Sequence, residues 1–138
     1  MPALHTPVRA SLLAAALLFA SPAWSADPVH KEKVELSASQ GTHSIKGKIK
    51  GYATAEYSVI GKAGQTLSVK LHTRQPSNYF NIRQAGRDEA LFIGSTSGNT
   101  YEAKLPADGE YTVQVYLMRN AARRNAVASY TLEMGLRD

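Results

Sequence analysis

The chain has 138 residues and no cysteine, and its 16 Lys and Arg outnumber its 11 Asp and Glu to give a formal net charge of +5. Without cysteine, a disulfide-stabilised fold and a thiolate metal site are both excluded. The basic residues are spread along the chain and form no dense run, so the composition does not indicate a nucleic-acid-binding protein.

Residues 1–25 are typical of a cleavable export signal. Arg9 supplies the positive charge, residues 11–20 form a short apolar run, and small residues then mark a cleavage site after Ser25 or Ala26. The apolar run is shorter than the roughly 20 residues that span a bilayer. We therefore expect a periplasmic protein with no transmembrane segment.

The remaining residues, 26–138, predict a single all-β domain. Short segments with alternating apolar and polar residues recur about every ten residues, separated by turns rich in Gly, Pro, Asn and Asp. Residues 29–33 are interpreted as a polar segment that precedes the first strand. The pattern predicts an antiparallel β-sandwich of about eight strands. In chain order, the candidate strands are Lys33–Leu36, His43–Lys50, Glu56–Ile60, Gln65–His72, Tyr79–Arg83, Ala90–Ile93, Thr100–Leu105, Tyr111–Met118 and Ser129–Leu136.

Alternation within three of these strands predicts which side chains face the core, because one face of an antiparallel sheet is buried and the other is solvated. The only segment with a helical pattern is Asn120–Val127, which could form a turn or two. The predicted core positions are Leu67, Val69, Leu71, Tyr111, Val113, Val115, Leu117, Tyr130, Leu132, Met134 and Leu136.

No residue pattern indicates an enzyme, a metal site or a cofactor. His30, His43 and His72 are far apart and lack the spacing of metal ligands. The chain has no Gly-x-Ser-x-Gly motif, and Gly94–Gly98 has the composition of a turn. The carboxylate pair Asp88-Glu89 is expected at a solvated hairpin tip.

The most informative segment is Arg119-Asn-Ala-Ala-Arg-Arg-Asn125, where three arginines directly follow an amphipathic strand. A connection between strands does not need three guanidinium groups, each of which can bind a carboxylate with two hydrogen bonds. In a helical turn, Arg119 and Arg123 would share one face while Arg124 points aside. The alternative is a solubilising loop whose alanines pack against the core.

Tyr52 is the second residue of interest, because Gly51-Tyr52 lies between an amphipathic strand and the segment Ala53-Thr-Ala55, which has little core-forming power. Such a tyrosine either packs at the rim or forms an exposed anchor for a partner. The candidate partner-binding residues are Tyr52, Arg119, Asn120, Arg123 and Arg124.

Four segments together resemble the periplasmic inhibitors of g-type lysozyme from Gram-negative bacteria. They are Ile49-Lys-Gly-Tyr52 with Tyr57 after it, Lys62-Ala-Gly-Gln65, Leu105-Pro-Ala-Asp-Gly-Glu-Tyr111, and the Arg119–Asn125 loop with Tyr130 after it. The second and third are equally similar to pre-peptidase C-terminal domains, and the middle of the chain is similar to uncharacterised exported β-sandwich proteins. The resemblance to the inhibitors implies a β-sandwich whose loops plug the lysozyme cleft, with Tyr52, Arg119 and Arg123 at the contact.

There are two alternative functions. One is a non-catalytic envelope module that binds a glycan or an anionic cell-wall polymer, as the positive charge and the tyrosines would allow. The other is a nucleic-acid-binding protein, which is disfavoured because the chain lacks a dense basic patch interleaved with aromatic residues.

Overall fold

The computed structural model describes residues 27–138, and the predicted export signal lies outside the described residues. Nine strands and two one-turn helices make up this part of the chain. Neither helix is long and apolar enough to cross a membrane. The elements are β1 (Val29–Lys33), β2 (His43–Lys50), β3 (Thr54–Gly61), β4 (Thr66–Thr73), β5 (Asn78–Gln84), β6 (Ala90–Ile93), α1 (Gly94–Ser97), β7 (Thr100–Lys104), β8 (Gly109–Leu117), α2 (Arg119–Arg123) and β9 (Val127–Arg137).

The strands form two packed sheets. One has five strands in the order β1-β3-β8-β5-β6, and the other has four in the order β2-β9-β4-β7. All neighbouring strands are antiparallel except β1 and β3. The predicted antiparallel β-sandwich is confirmed, with one parallel pair added at an edge.

The core lies between the sheets and consists of the predicted inward-facing residues together with their neighbours on the other strands. All eleven core positions predicted from alternation are buried. Single methylene groups contribute about 0.8 kcal/mol each when buried in this way. The chain therefore stabilises the fold without a disulfide, since it contains no cysteine.

The prediction was wrong at the start of the domain. Residues 29–33, interpreted as a polar segment outside the sheet, form β1, which pairs in parallel with β3 from Val29↔Thr54 to Lys33↔Ser58. The predicted strand Lys33–Leu36 is absent beyond Lys33. All five β1 residues are exposed, so backbone pairing at the sheet edge holds the strand in place. Because neither face of β1 is buried, its sequence does not alternate between apolar and polar residues.

A smaller difference occurs at α1, where a simple turn was expected. Gly94 is buried against the backbone of Phe80, whose carbonyl oxygen would collide with a Cβ at this position. Its N–H donates to Asn81 Oδ1 at 3.2 Å. Only glycine fits this close approach, and the chain then makes one helical turn before β7.

Strand pairing brings two connections together at one end of the sandwich. β2 pairs with β9 so that Lys50 lies opposite Val127, and β3 pairs with β8 so that Ala55 lies opposite Val115. The turn from β2 to β3 and the segment from β8 to β9 both cross from one sheet to the other. They must therefore cross side by side, although more than 60 residues separate them in the sequence.

Candidate partner-binding site

The helix α2 is a single turn held by backbone hydrogen bonds and by two buried alanines. The Met118 carbonyl accepts from the N–H groups of Ala121 and Ala122 at 3.0 and 2.9 Å, and both alanine side chains are buried. The exposed Asn120 accepts from the N–H of Ala121 through its Oδ1 at 2.9 Å. Asn125 follows with φ of 53°, the left-handed conformation that often ends a helix.

The three arginines of this segment are all exposed. Arg119 and Arg123 are the first and last residues of α2, so their side chains lie on the same helix face. Arg124 follows the last helical residue. None of the three guanidinium groups has a carboxylate partner among residues 27–138, where all ion pairs are formed by other side chains.

Tyr52 lies beside this helix, in the turn from β2 to β3. The N–H of Gly51 donates to the Ala126 carbonyl at 3.0 Å, and Ala53 N–H donates to the Lys50 carbonyl at 3.1 Å. Gly51 has φ of +61°, and a Cβ there would lie 2.9 Å from Asn125 Oδ1. Tyr52 itself is 46% exposed. The structure thus brings all five candidate residues to one end of the molecule and presents Tyr52 at the surface.

Sequence reasoning missed two apolar residues at this end. Met118 is 40% exposed and directly precedes the arginine segment, and Val127 is 43% exposed and lies two residues after its end. Alternation could have identified both, because Met118 follows the buried Leu117 and Val127 precedes the buried Ala128. We call the surface formed by Tyr52, Met118, Arg119, Asn120, Arg123, Arg124 and Val127 the arginine patch.

The histidine and carboxylate groups are dispersed over the part of the chain that the structure describes. No group of three or more His, Cys, Asp or Glu within residues 27–138 could hold a metal ion. His30 lies 3.3 Å from the exposed Glu32, and His72 lies 3.3 Å from the half-buried Glu133.

Two buried titratable side chains, Tyr57 and Tyr130, meet inside the sandwich. The hydroxyls of Tyr57 and Tyr130 are 2.7 Å apart, and burial raises the pKa of both. This pair links the two sheets and does not contribute to the arginine patch.

Comparison with known proteins agrees with the fold and with the resemblance seen in the sequence. No family model matches the chain. An inhibitor of g-type lysozyme from Escherichia coli K12 is 26% identical over 107 residues, which cover 75% of this chain and 79% of the relative.

Two solved structures are informative about fold. The periplasmic g-type lysozyme inhibitor PliG of Salmonella Typhimurium superposes with a TM-score of 0.64 at 22% identity, covering 78% of this chain and 98% of PliG. The pre-peptidase C-terminal domain of a Bacillus anthracis collagenase superposes with a TM-score of 0.56 at 17% identity, covering 82% of this chain and all of that domain. At these identities both comparisons show a shared β-sandwich.

A third structure is similar enough in sequence to show kinship. The crystal structure of Aeromonas hydrophila PliG, a periplasmic inhibitor of g-type lysozyme, superposes with a TM-score of 0.70 at 31% identity. The match covers 81% of this chain and the whole of that structure. The chain therefore belongs to the family of periplasmic inhibitors of g-type lysozyme.

Proposed function

We propose that this protein inhibits g-type lysozyme in the periplasm by inserting the arginine patch into the substrate cleft of the enzyme. Removal of residues 1–25 as an export signal would precede this activity. The observation that carries the proposal is the arginine patch itself. Three arginines and an exposed tyrosine lie together at one end of a rigid sandwich. Within residues 27–138, none of the three arginines has a carboxylate partner.

The composition of the arginine patch supports a protein partner. Arg, Tyr and Met are enriched at the centres of protein–protein interfaces. Seven large hydrophobic residues are exposed within residues 27–138. Three of them, Tyr52, Met118 and Val127, lie in the arginine patch, so apolar contact area and positive charge coincide there.

The chemistry of the enzyme explains why arginine suits this role. Glycoside hydrolysis by lysozyme depends on carboxyl groups in the cleft, including a general acid in a partly desolvated site. A guanidinium group inserted from α2 would pair with such a carboxylate where water is excluded. Couplings between close interfacial charges reach about 1.5–7 kcal/mol in double-mutant cycles. Occupation of the cleft would then block the substrate without any reaction on the inhibitor.

The structure also supports preorganisation of the arginine patch. Ala121 and Ala122 anchor α2 in the core, and Gly51 fixes the tyrosine turn to the same segment by the hydrogen bond to Ala126. Little backbone entropy would be lost on binding, which increases affinity for a given contact area.

The test is the double variant Arg119→Ala/Arg123→Ala, assayed for inhibition of peptidoglycan lysis by a g-type lysozyme. Because each arginine is expected to pair with a carboxylate in the cleft, we expect the inhibition constant to rise by about 100-fold or more. The melting temperature should be unchanged, since both side chains are exposed.

The matched control is Arg87→Ala, which removes an exposed arginine from the turn between β5 and β6. It should inhibit as well as the wild-type protein. If the double variant also inhibits with wild-type potency, the arginine segment is a solubilising loop and the proposed contact is wrong.

A further inference from the structure

A second surface feature lies on the outer face of the four-stranded sheet. It is an open groove of about 990 Å³. Its floor is β9, with Ser129 and Thr131, while Lys46 on β2 and the pair His72 and Arg74 at the end of β4 form its two walls. We call this feature, defined by those five residues, the basic groove.

The positive charge of the protein is concentrated on this face. Without Arg9, 15 Lys and Arg stand against 11 Asp and Glu, a net charge of +4. The outer face of the four-stranded sheet, including Arg74 beyond β4, carries seven of these cations and only two carboxylates, a net of +5. The rest of residues 27–138 therefore has a net charge of −1. The residues of the face are Lys46, Lys48, Lys50, Lys70, Arg74, Lys104, Arg137, Glu102 and Glu133.

The two carboxylates of this face already have basic neighbours. Glu133 lies 3.3 Å from His72 Nε2 and opposite Lys70 in the strand register. Glu102 pairs with Arg137. Lys46 and Arg74 lie on opposite walls of the groove. Within the described part of the chain, neither of them forms an ion pair with a carboxylate. Both cations are exposed and available to a ligand.

The lysines of β2 extend this charge along the sheet. Lys46, Lys48 and Lys50 are all exposed and alternate with inward-facing residues. Residues two apart in a strand are separated by about 6.8 Å along its axis. The face therefore offers a row of cations at regular spacing, which suits an extended ligand with repeated anionic groups better than a single small anion.

The floor of the groove favours a carbohydrate over a nucleic acid. Ser129 and Thr131 on β9 offer hydroxyl groups. These groups can exchange hydrogen bonds with sugar hydroxyls. Proteins that bind single-stranded nucleic acids stack the bases on exposed aromatic rings. The one aromatic residue of the groove, Tyr130, is only 5% exposed and offers no such surface.

We propose that the basic groove binds an acidic polysaccharide, with carboxylate groups on the sugars meeting Lys46 and Arg74 and with sugar hydroxyls meeting the floor of β9. This function goes beyond lysozyme inhibition and uses a different surface. It would hold the inhibitor near the anionic glycans of the cell envelope.

The experiment is a calorimetric titration of the protein with an oligogalacturonate of about eight sugars. A neutral maltooligosaccharide of equal length and an inorganic polyphosphate serve as comparison ligands. We expect the oligogalacturonate to bind and the neutral chain not to bind. The variant Lys46→Gln/Arg74→Gln should weaken the binding by about tenfold, because it removes two exposed ion pairs.

The matched control is Lys62→Gln/Arg87→Gln, which removes the same charge from exposed loop positions away from this face. It should bind the oligogalacturonate almost as well as the wild-type protein. Equal weakening in the two variants, no binding of the oligogalacturonate, or tighter binding of polyphosphate would each overturn the proposal. Lysozyme inhibition should be unchanged in Lys46→Gln/Arg74→Gln, so this proposal and the proposed inhibition can fail separately.

Discussion

The position of Tyr52 depends on the glycine that precedes it. Gly51 has a left-handed backbone and packs against Asn125, which also has positive φ. Two unusual backbone conformations, 74 residues apart in the sequence, thus meet at one contact. This contact holds the tyrosine turn against α2. Because the contact joins two segments that are distant in the sequence, the sequence could identify Tyr52 as a candidate but could not show whether it packs at the rim or is exposed.

We predict that Gly51→Ala weakens lysozyme inhibition as well as stability. A Cβ at φ of +61° and 2.9 Å from Asn125 Oδ1 requires the turn or the asparagine to move. The left-handed conformation alone costs a non-glycine residue about 1–2 kcal/mol. Urea unfolding and an inhibition assay would measure the two effects.

Gly64→Ala is the control for this prediction. Gly64 also has positive φ, +84°, but a Cβ there would meet nothing within 4 Å. This variant should lose only the stability that the left-handed conformation costs, about 1–2 kcal/mol, and still inhibit with wild-type potency. Full inhibition by Gly51→Ala would contradict the role assigned to the turn.

At the scale of elements, the two sheets are joined by a hydrogen bond between tyrosines. Tyr57 on β3 and Tyr130 on β9 meet at 2.7 Å between their hydroxyl oxygens. Tyr130 lies over Gly47 of β2, where a Cβ would collide with its ring. The three strands therefore fit together only with a glycine at this position of β2.

This tyrosine pair predicts a loss of stability at alkaline pH. Burial raises the pKa of Tyr57 and of Tyr130 above the ordinary value, so the folded protein retains both protons while the unfolded chain releases them near pH 10. The contribution to stability is present below pH 10 and is lost as the pH rises. As long as the folded protein keeps the proton, each tyrosine reduces the free energy of unfolding by about 1.4 kcal/mol per pH unit above pH 10.

Urea unfolding at several pH values between 9 and 11 would measure this loss. The variant Tyr57→Phe/Tyr130→Phe should show a shallower decline above pH 10, because it removes both titrating groups and nearly preserves the core volume. The same decline in the variant and the wild-type protein would show that other groups cause it.

The elements also show which parts of the fold a sequence can predict. β4, β8 and β9 bury one face each, so their alternation predicted both the strands and the buried residues. β1 has no buried residue, and its parallel pairing depends on the backbone of β3. The helical turn after β8 was anticipated, whereas α1 depends on a close contact between Gly94 and Phe80.

At the scale of the whole molecule, the protein presents two adjoining surfaces. The arginine patch occupies one end, where two connections cross between the sheets, and the basic groove occupies the outer face of one sheet. The two surfaces meet at Val127, which belongs to the patch and also lines the groove. Composition alone suggested a mild positive charge spread along the chain. The strand register concentrates that charge on one face.

The candidate site could be predicted in part because the arginine segment and the tyrosine each break a regular strand pattern. Their proximity could not be predicted, because it depends on the pairing of β2 with β9 and of β3 with β8. Met118 and Val127 are a different case, because alternation next to Leu117 and Ala128 could have identified both as outward-facing residues. Their exposure matters only once both are known to flank α2.

The most direct test of the central proposal is a titration of purified residues 26–138 into peptidoglycan lysis by a g-type lysozyme, with c-type and i-type lysozymes assayed in parallel. We predict stoichiometric inhibition of the g-type enzyme and no inhibition of the other two. Undiminished lysis by the g-type enzyme at a molar excess of the protein would contradict the proposed function.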